Sequence, residues 1–253
     1  MFVNHQTKIR FGQIGFLLLL LIAMEFVVRA GLVSVLILSS PSTIVLKIWE
    51  DIRGAELWEG LQTTAMEFFV AFLISLCAGV VCGIIFFRFG LLRSAVEPLL
   101  LAFYAAPTVL LYPVFLTLFG LGSAAVVGVA VVIGSIPIMV NISVGLSGVE
   151  PIFIKLGRSL KATPWQMFSR ILVPAATPTI FTGLRLGFTY TLVSVIAVEF
   201  IIFSGGLGKM VSWRYFIFDT EGIFSGIVFI TLIAGSINSL LNWTENLIRK
   251  RWT

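Results

Sequence analysis

Apolar residues in this chain come in long uninterrupted runs rather than at alternating positions. A membrane span needs about 20 mostly apolar residues, and the runs predict six, at 14–38, 65–87, 99–119, 124–146, 174–202 and 222–244. The uncharged stretch 98–149 is too long for one span, and Gly120-Leu121-Gly122-Ser123 divides it at a tight turn. In the first run Glu25 and Arg29 stand four apart on one helix face, where they can pair. Lys8 and Arg10 ahead of the apolar residues 16–23 resemble the front of a signal peptide. Apolar character continues to Leu38 with no small-x-small cleavage site, so the run is read as a retained span.

Two segments outside the spans carry helical amphipathic patterns. Ser40 and Pro41 form a helix start. Ile44, Val45, Ile48, Trp49 and Ile52 then recur opposite Lys47, Glu50, Asp51 and Arg53, as in a helix lying on the membrane surface. The other segment, 150–173, follows span four. Ile152, Phe153, Leu156 and Leu160 lie on one side and Lys155, Arg158 and Lys161 on the other. Thr163, Pro164 and Gln166 then have the spacing of a capping box. The segment is expected to fold as two short helices, 150–161 and 164–173, joined at Thr163 into a rigid knob, the second stopping at Pro174.

Composition supports the bilayer as solvent: 58% of the 253 residues are hydrophobic and 11% charged, against roughly 25% charged in soluble domains. Placing the N-terminus inside gives inner segments that collect Lys8, Arg10, Arg88, Arg93, Lys155, Arg158, Lys161, Arg170, Arg185, Arg249, Lys250 and Arg251, which is 12 of the 17 Lys and Arg. By the positive-inside rule both termini are inside and the number of spans is even. The expected fold is an all-α integral membrane domain over 1–253, with six spans and a cytoplasmic loop between spans four and five. The net charge of +5 comes without the basic polar cluster of a nucleic-acid surface.

Catalytic patterns are missing. The one histidine is His5, and no Cys/His metal spacing or phosphate loop occurs. Gly205-Gly206-Leu207-Gly208-Lys209 is followed by Met210, so it lacks the hydroxyl residue of a phosphate loop, and it falls on the outer side. Cys77 and Cys82 are read as apolar packing residues. Glu67 and Glu199, near the outer ends of spans two and five, are functional candidates, because a carboxylate in a span is costly unless paired or hydrated. Structural pairing is the alternative for both, and for Arg185 snorkelling to the inner headgroups is preferred. Asn141 is a weaker pathway candidate, as are Tyr104 and Pro107 in span three. Ser75, Gly79 and Gly83, with Gly183 and Gly187, recur at four-residue spacing and suit close helix packing.

The segment 153–187, FIKLGRSLKATPWQMFSRILVPAATPTIFTGLRLG, resembles the conserved cytoplasmic loop of ABC-importer permeases, with pattern E-A-A-x-x-L-G-A-x-x-x-x-x-F-x-x-I-x-L-P. Leu160, Ala162, Phe168, Ile171 and Pro174 fall in register. Residues 97–122 and 197–211 are similar to segments of the nitrate/sulfonate/taurine permease group. The resemblance implies a non-catalytic subunit that docks a cytoplasmic ATPase dimer through this loop, with Glu150, Phe153, Leu156, Gly157, Ser159, Leu160, Lys161, Ala162, Thr163, Pro164, Trp165 and Phe168 as coupling residues. It further implies a second permease copy or paralogue, an extracytoplasmic binding protein and a bacterial inner membrane. No cofactor is expected on this chain itself, since ATP and Mg belong to the ATPase. The implied solutes are small anions such as nitrate, sulfonate or taurine, aromatic acids or vitamin precursors. The family's Glu falls on Lys155, its Ala pair on Leu156 and Gly157, and its turn glycine on Lys161. Lys161 must therefore accept a less favourable backbone geometry or shift the turn to 162–164. Two further readings stand beside this one: an ion-coupled transporter or channel using Glu67 and Glu199, and a non-transporting membrane anchor.

Overall fold

The computed structural model describes residues 3–105 and 108–252, and among these the regular elements are all helical. They are α1 (Val3–Arg29), α2 (Pro41–Arg53), α3 (Ala55–Arg88), α4 (Gly90–Ala105), a 3-10 turn (Thr108–Leu111), α5 (Tyr112–Phe119), α6 (Ser123–Ser147), α7 (Pro151–Ser159), α8 (Pro164–Met167), a π-helical turn (Phe168–Leu172), α9 (Val173–Ile202), α10 (Gly206–Phe216) and α11 (Thr220–Trp252). Four helical stretches in the described part are long and apolar enough to cross a membrane: Ala55–Arg88, Ser123–Ser147, Pro164–Phe216 and Thr220–Glu245.

The core is a three-helix unit. α3 and α6 run parallel and α9 runs antiparallel to both, with small residues at their crossings. A Cβ added to Gly79 would lie 2.6 Å from Ile138 Cβ, and one added to Gly187 would lie 2.4 Å from Ile138 Cγ1. Ile138 is thus wedged between glycines of two neighbouring helices. Along the core, α6 is buried on nearly every face, including Val126, Val129, Ala130, Ile138 and Ile142. At one end the bundle is closed by α2, the start of α3 and α10; α7 and α8 project at the other.

Several boundaries differ from the sequence pattern. The helix in the first run ends at Arg29, because Ala30 and Gly31 form a turn with Gly31 at φ +69°, and residues 32–38 are irregular. The second predicted span begins ten residues early, at Ala55, where Gly54 accepts the chain from α2. The third is split into α4, a 3-10 turn and α5. Pro113 in the first turn of α5 needs no amide donor there. The second loop helix does not stop at Pro174: the backbone stays helical into α9 through the π-helical turn, where Val173 donates to the Phe168 carbonyl. The wider turn absorbs the donor that Pro174 lacks. Cys77 is exposed rather than packed, and Cys82 is half-buried. α10 was not expected from the apolar pattern.

Candidate functional site

The knob at the projecting end is built from backbone constraints. α7 packs inward through Ile154 and the buried Gly157. A Cβ on Gly157 would lie 2.5 Å from Ile171 Cδ1 and 2.7 Å from Met167 Cε, so a glycine permits this approach. The helix ends in a Schellman turn: Ala162 N–H donates to the Gly157 carbonyl and Lys161 N–H to that of Arg158, both at 3.0 Å. Lys161 occupies the left-handed position at φ +52°. The turn has therefore not moved to 162–164, and Lys161 itself takes the left-handed conformation that glycine adopts most easily. The capping box closes as its spacing predicts, with Gln166 N–H donating to Thr163 Oγ1 at 3.3 Å and Thr163 N–H to Gln166 Oε1 at 2.9 Å.

The outward side of this knob is apolar and uncovered. Ile152, Phe153, Leu156, Leu160 and Trp165 are all exposed, Trp165 to 72%. The expected apolar face of α7 thus points away from the bundle rather than onto it. Glu150, Lys155, Arg158, Ser159, Lys161, Thr163 and Pro164 are exposed around it, while Ala162 and Phe168 are half-buried. Trp165 and Phe168 stand with ring centroids 6.2 Å apart.

At the opposite end, α9 stops at Phe203 and the chain re-enters as α10, whose first amides need acceptors. Gly205 and Gly206 make the turn at φ +153° and +75°. Thr64 Oγ1 accepts from Leu207 N–H at 2.8 Å and donates to Glu199 Oε2 at 2.9 Å, and Glu199 Oε2 also accepts from Gly208 N–H at 2.9 Å. Glu199 is wholly buried, and its carboxyl accepts one of the first free amides of α10. A Cβ on Gly206 would meet the Glu199 carboxyl at 2.1 Å, so the glycine is required by space as well as by φ. Sequence reasoning singled out Glu199 but missed Thr64; the Gly205-Gly206 pair was the available signal.

Glu67 lies one helical turn along α3 from Thr64, beside the carboxyl of Glu199 and the hydroxyl of Ser123. It is 4% exposed and borders a groove of about 800 Å³ between α3, α5 and α6. The Ser123 hydroxyl and the Glu199 carboxyl, with which it can share a proton, are its polar partners.

A second polar cluster locks the same end. Arg214 of α10 reaches Asp51 of α2 with Nη1 2.7 Å from Oδ2 and Nη2 2.9 Å from Oδ1. Arg214 also donates to Glu56 Oε2 and the Gly222 carbonyl, while Ser225 Oγ donates to Asp51 Oδ2. Asp51 was expected on a solvated face; it is buried instead, because α2 turns that face onto α10 and α11 and leaves Val45, Leu46 and Trp49 exposed. Burial raises the Asp51 carboxyl's affinity for a proton, but the Arg214 and Ser225 hydrogen bonds and the Arg214 charge outweigh it and hold the pKa below the ordinary carboxylate value.

The other candidates are placed as follows. Glu25 bonds Arg29 Nε at 2.5 Å and accepts from Ser42 N–H and Oγ, tying α1 to the start of α2. Arg185 pairs with Glu245 of α11 at 3.0 Å. Asn141 Nδ2 donates to the Pro137 carbonyl at 2.8 Å, and the side chain sits against Gly183 at the α6–α9 crossing. Ser75, Gly79, Gly83, Gly183 and Gly187 are buried at helix crossings. Pro107 and the side chain of Tyr104 lie outside the described residues. Among the described residues no group of three His, Cys, Asp or Glu could hold a metal ion.

Comparison with known proteins gives these arrangements a context. Residues 75–253 match the family described as "Binding-protein-dependent transport system inner membrane component". The riboflavin transport system permease protein RibX of Chloroflexus aurantiacus is 27% identical over 236 residues, covering 93% of this chain and 88% of that protein. The formylaminopyrimidine transport permease protein ThiX of Halalkalibacterium halodurans is 28% identical over 197 residues, 78% of each chain. Permeases for aliphatic sulfonates, taurine and nitrate match at 23–26% identity over 77–88% of this chain. In fold, the chain resembles one from the inward-facing MetNI methionine ABC transporter, with a TM-score of 0.59 and 23% identity over 81% of this chain and 97% of that one.

Proposed function

The chain belongs to the binding-protein-dependent transport system inner membrane component family and is a permease subunit of an ABC importer; from that premise we propose that residues 150–173 dock a cytoplasmic ATPase and couple its cycle to passage of a small solute. One observation carries the reading. The 150–173 knob is pinned by Gly157, the Lys161 turn and the Thr163 capping box, yet turns Phe153, Leu156, Leu160 and Trp165 outward. An apolar patch held rigid and left uncovered suits a partner interface. The coupling residues are those of α7, α8 and their turn.

In this reading 1–253 forms one transmembrane domain with six spans. The broken segment α4–α5 supplies the third, and both termini are cytoplasmic in a bacterial inner membrane. Two permease copies, or this chain and a paralogue, enclose the pathway. A binding protein delivers solute at the α2–α10 end, and ATP with Mg is held by the ATPase alone. The family match favours ATP-driven import over ion-coupled transport. Proteoliposomes holding the assembled complex should take up solute only with internal or external ATP at the ATPase side. Uptake that follows an imposed sodium or proton gradient without the ATPase would overturn this assignment.

A further inference from the structure

The cations of the α7–α8 knob have no partner within the chain. Residues 150–173 hold Lys155, Arg158, Lys161 and Arg170 against one acid, Glu150, and all five are exposed. Among the described residues none of the four cations has an ion pair or a side-chain hydrogen bond. Arg29, Arg93, Arg185 and Arg214, by contrast, each hold a carboxylate.

Their placement is specific. A step of three residues keeps side chains on one edge of a helix, so Lys155 and Arg158 form a row along α7. That row lies between the inward face of Ile154 and Gly157 and the outward apolar face of Ile152, Phe153 and Leu156. Lys161 follows at the turn, next to Leu160 in the chain. A surplus of Lys and Arg is ordinary on the inner side of a membrane and accounts for the number of these cations. It does not account for Lys161, which sits at φ +52°, where a side chain strains the backbone and a glycine would not. A strained residue that bonds nothing in its own chain points to a use outside it.

We propose that Lys155, Arg158 and Lys161 form a cationic edge to the docking face, and that the ATPase receives the knob in an apolar groove bordered on the matching side by carboxylates. The proposal rests on the docking reading above and adds to it the chemistry of the partner's surface. The apolar face supplies contact area, and the edge selects the partner: a groove with basic residues at that border is repelled, so only an ATPase with the complementary border assembles with this chain. Pairs at an exposed edge act mainly on association rate and partner choice, and they weaken as salt shortens the range of the field. An anionic lipid surface is the other partner that such cations suit. The ATPase is favoured because the apolar face beside them is held rigid by Gly157 and the Thr163 capping box rather than left free to spread on a bilayer.

The test uses the complex of the full chain with the ATPase that co-purifies with it, returned to nanodiscs of neutral phosphatidylcholine so that the headgroups carry no net charge. Zero-length carbodiimide coupling joins a lysine amine to a carboxyl in direct contact. It should link Lys155 or Lys161 to an Asp or Glu of the ATPase, located by peptide mass spectrometry. K155R/K161R, which keeps both charges but lacks the amines, should retain the ATPase and lose every such link. K161G should weaken ATPase binding about threefold although it relaxes the turn, and K155E/R158E/K161E about tenfold or more, as for one and several exposed pairs. The charge-reversed variant should also lose the decline in affinity that the wild type shows as salt rises from about 0.1 to about 1 M. Thermal unfolding checks that each variant keeps the fold.

Binding by K161G equal to or above wild type, no lysine–carboxyl link in the wild type, or an unchanged salt response in the reversed variant overturns the proposal. So does a charge dependence that appears only when anionic lipid is added, which would assign the cations to the membrane. W165D separates the two readings. Its loss of ATPase beside an unaffected reversed variant keeps the docking face and removes the edge, whereas full retention by W165D overturns docking and edge together.

Discussion

Arg214 and Asp51, 163 positions apart in the chain, meet in a two-point ion pair of 2.7 and 2.9 Å that is buried from both sides. It joins α2 to α10, with Ser225 of α11 completing the carboxylate's shell at 2.5 Å. The α2, α10 and α11 helices are thus tied together by one charge cluster. Removing one partner of a buried pair leaves the other uncompensated and costs about 3–5 kcal/mol. D51N and R214M should each lower the unfolding temperature of the purified chain, and the double variant should lose less than the sum of the two. Strict additivity would show that the pair is not the unit of stability.

The same pair sets an acid limit. Asp51 has a folded pKa below its unfolded value of about 3.9. Its contribution is therefore fully present above that value and declines as pH falls through the lower folded pKa. Wild-type unfolding temperature should drop more steeply than that of D51N below about pH 4, as followed by scanning fluorimetry. Parallel curves would rule out Asp51 as the group responsible.

Lys161 carries a backbone cost that glycine would not. A non-glycine residue in the left-handed region costs about 1 kcal/mol or somewhat more, so K161G should stabilise the α7–α8 turn by about that amount. The Lys161 and Ala162 amides, which donate to Arg158 and Gly157, should then exchange more slowly with deuterium. K161V, branched at Cβ, should speed their exchange.

Thr64 is predicted to matter more than an ordinary span threonine. T64V leaves the buried Leu207 amide without its acceptor and removes a donor to Glu199, at a cost of about 1–3 kcal/mol. Proteolysis or exchange within 205–210 should report the loosened start of α10 before global unfolding does.

Where the pattern was local, the sequence could be read closely. The Thr163–Gln166 box and the Glu25–Arg29 pair depend on spacings of three and four within one helix, and both form. Apolar runs located the long core helices but not their ends, because Gly31 and the π-helical turn at 168–172 answer to backbone geometry that hydropathy does not encode. The long-range polar clusters were not legible. Asp51 and Arg214, or Thr64 and Leu207, have no periodic relation in the chain, and which helix face α2 turns inward is decided by α10 and α11. Glu67 and Glu199 were both conspicuous as carboxylates in apolar runs. Their different surroundings, a helix start for one and an open groove for the other, could be told apart only in three dimensions.

The central claim is that the uncovered face of the α7–α8 knob docks the ATPase, and Trp165, 72% exposed at its tip, tests it most directly. Trp165 makes little contribution to the fold that W165D could disrupt, so the unfolding temperature should stay close to wild type. The amount of ATPase co-purifying with W165D from detergent-solubilised membranes should fall at least tenfold relative to wild type, as for a central aromatic anchor worth about 2 kcal/mol or more. An unchanged ATPase stoichiometry with a fully folded W165D chain would contradict the account.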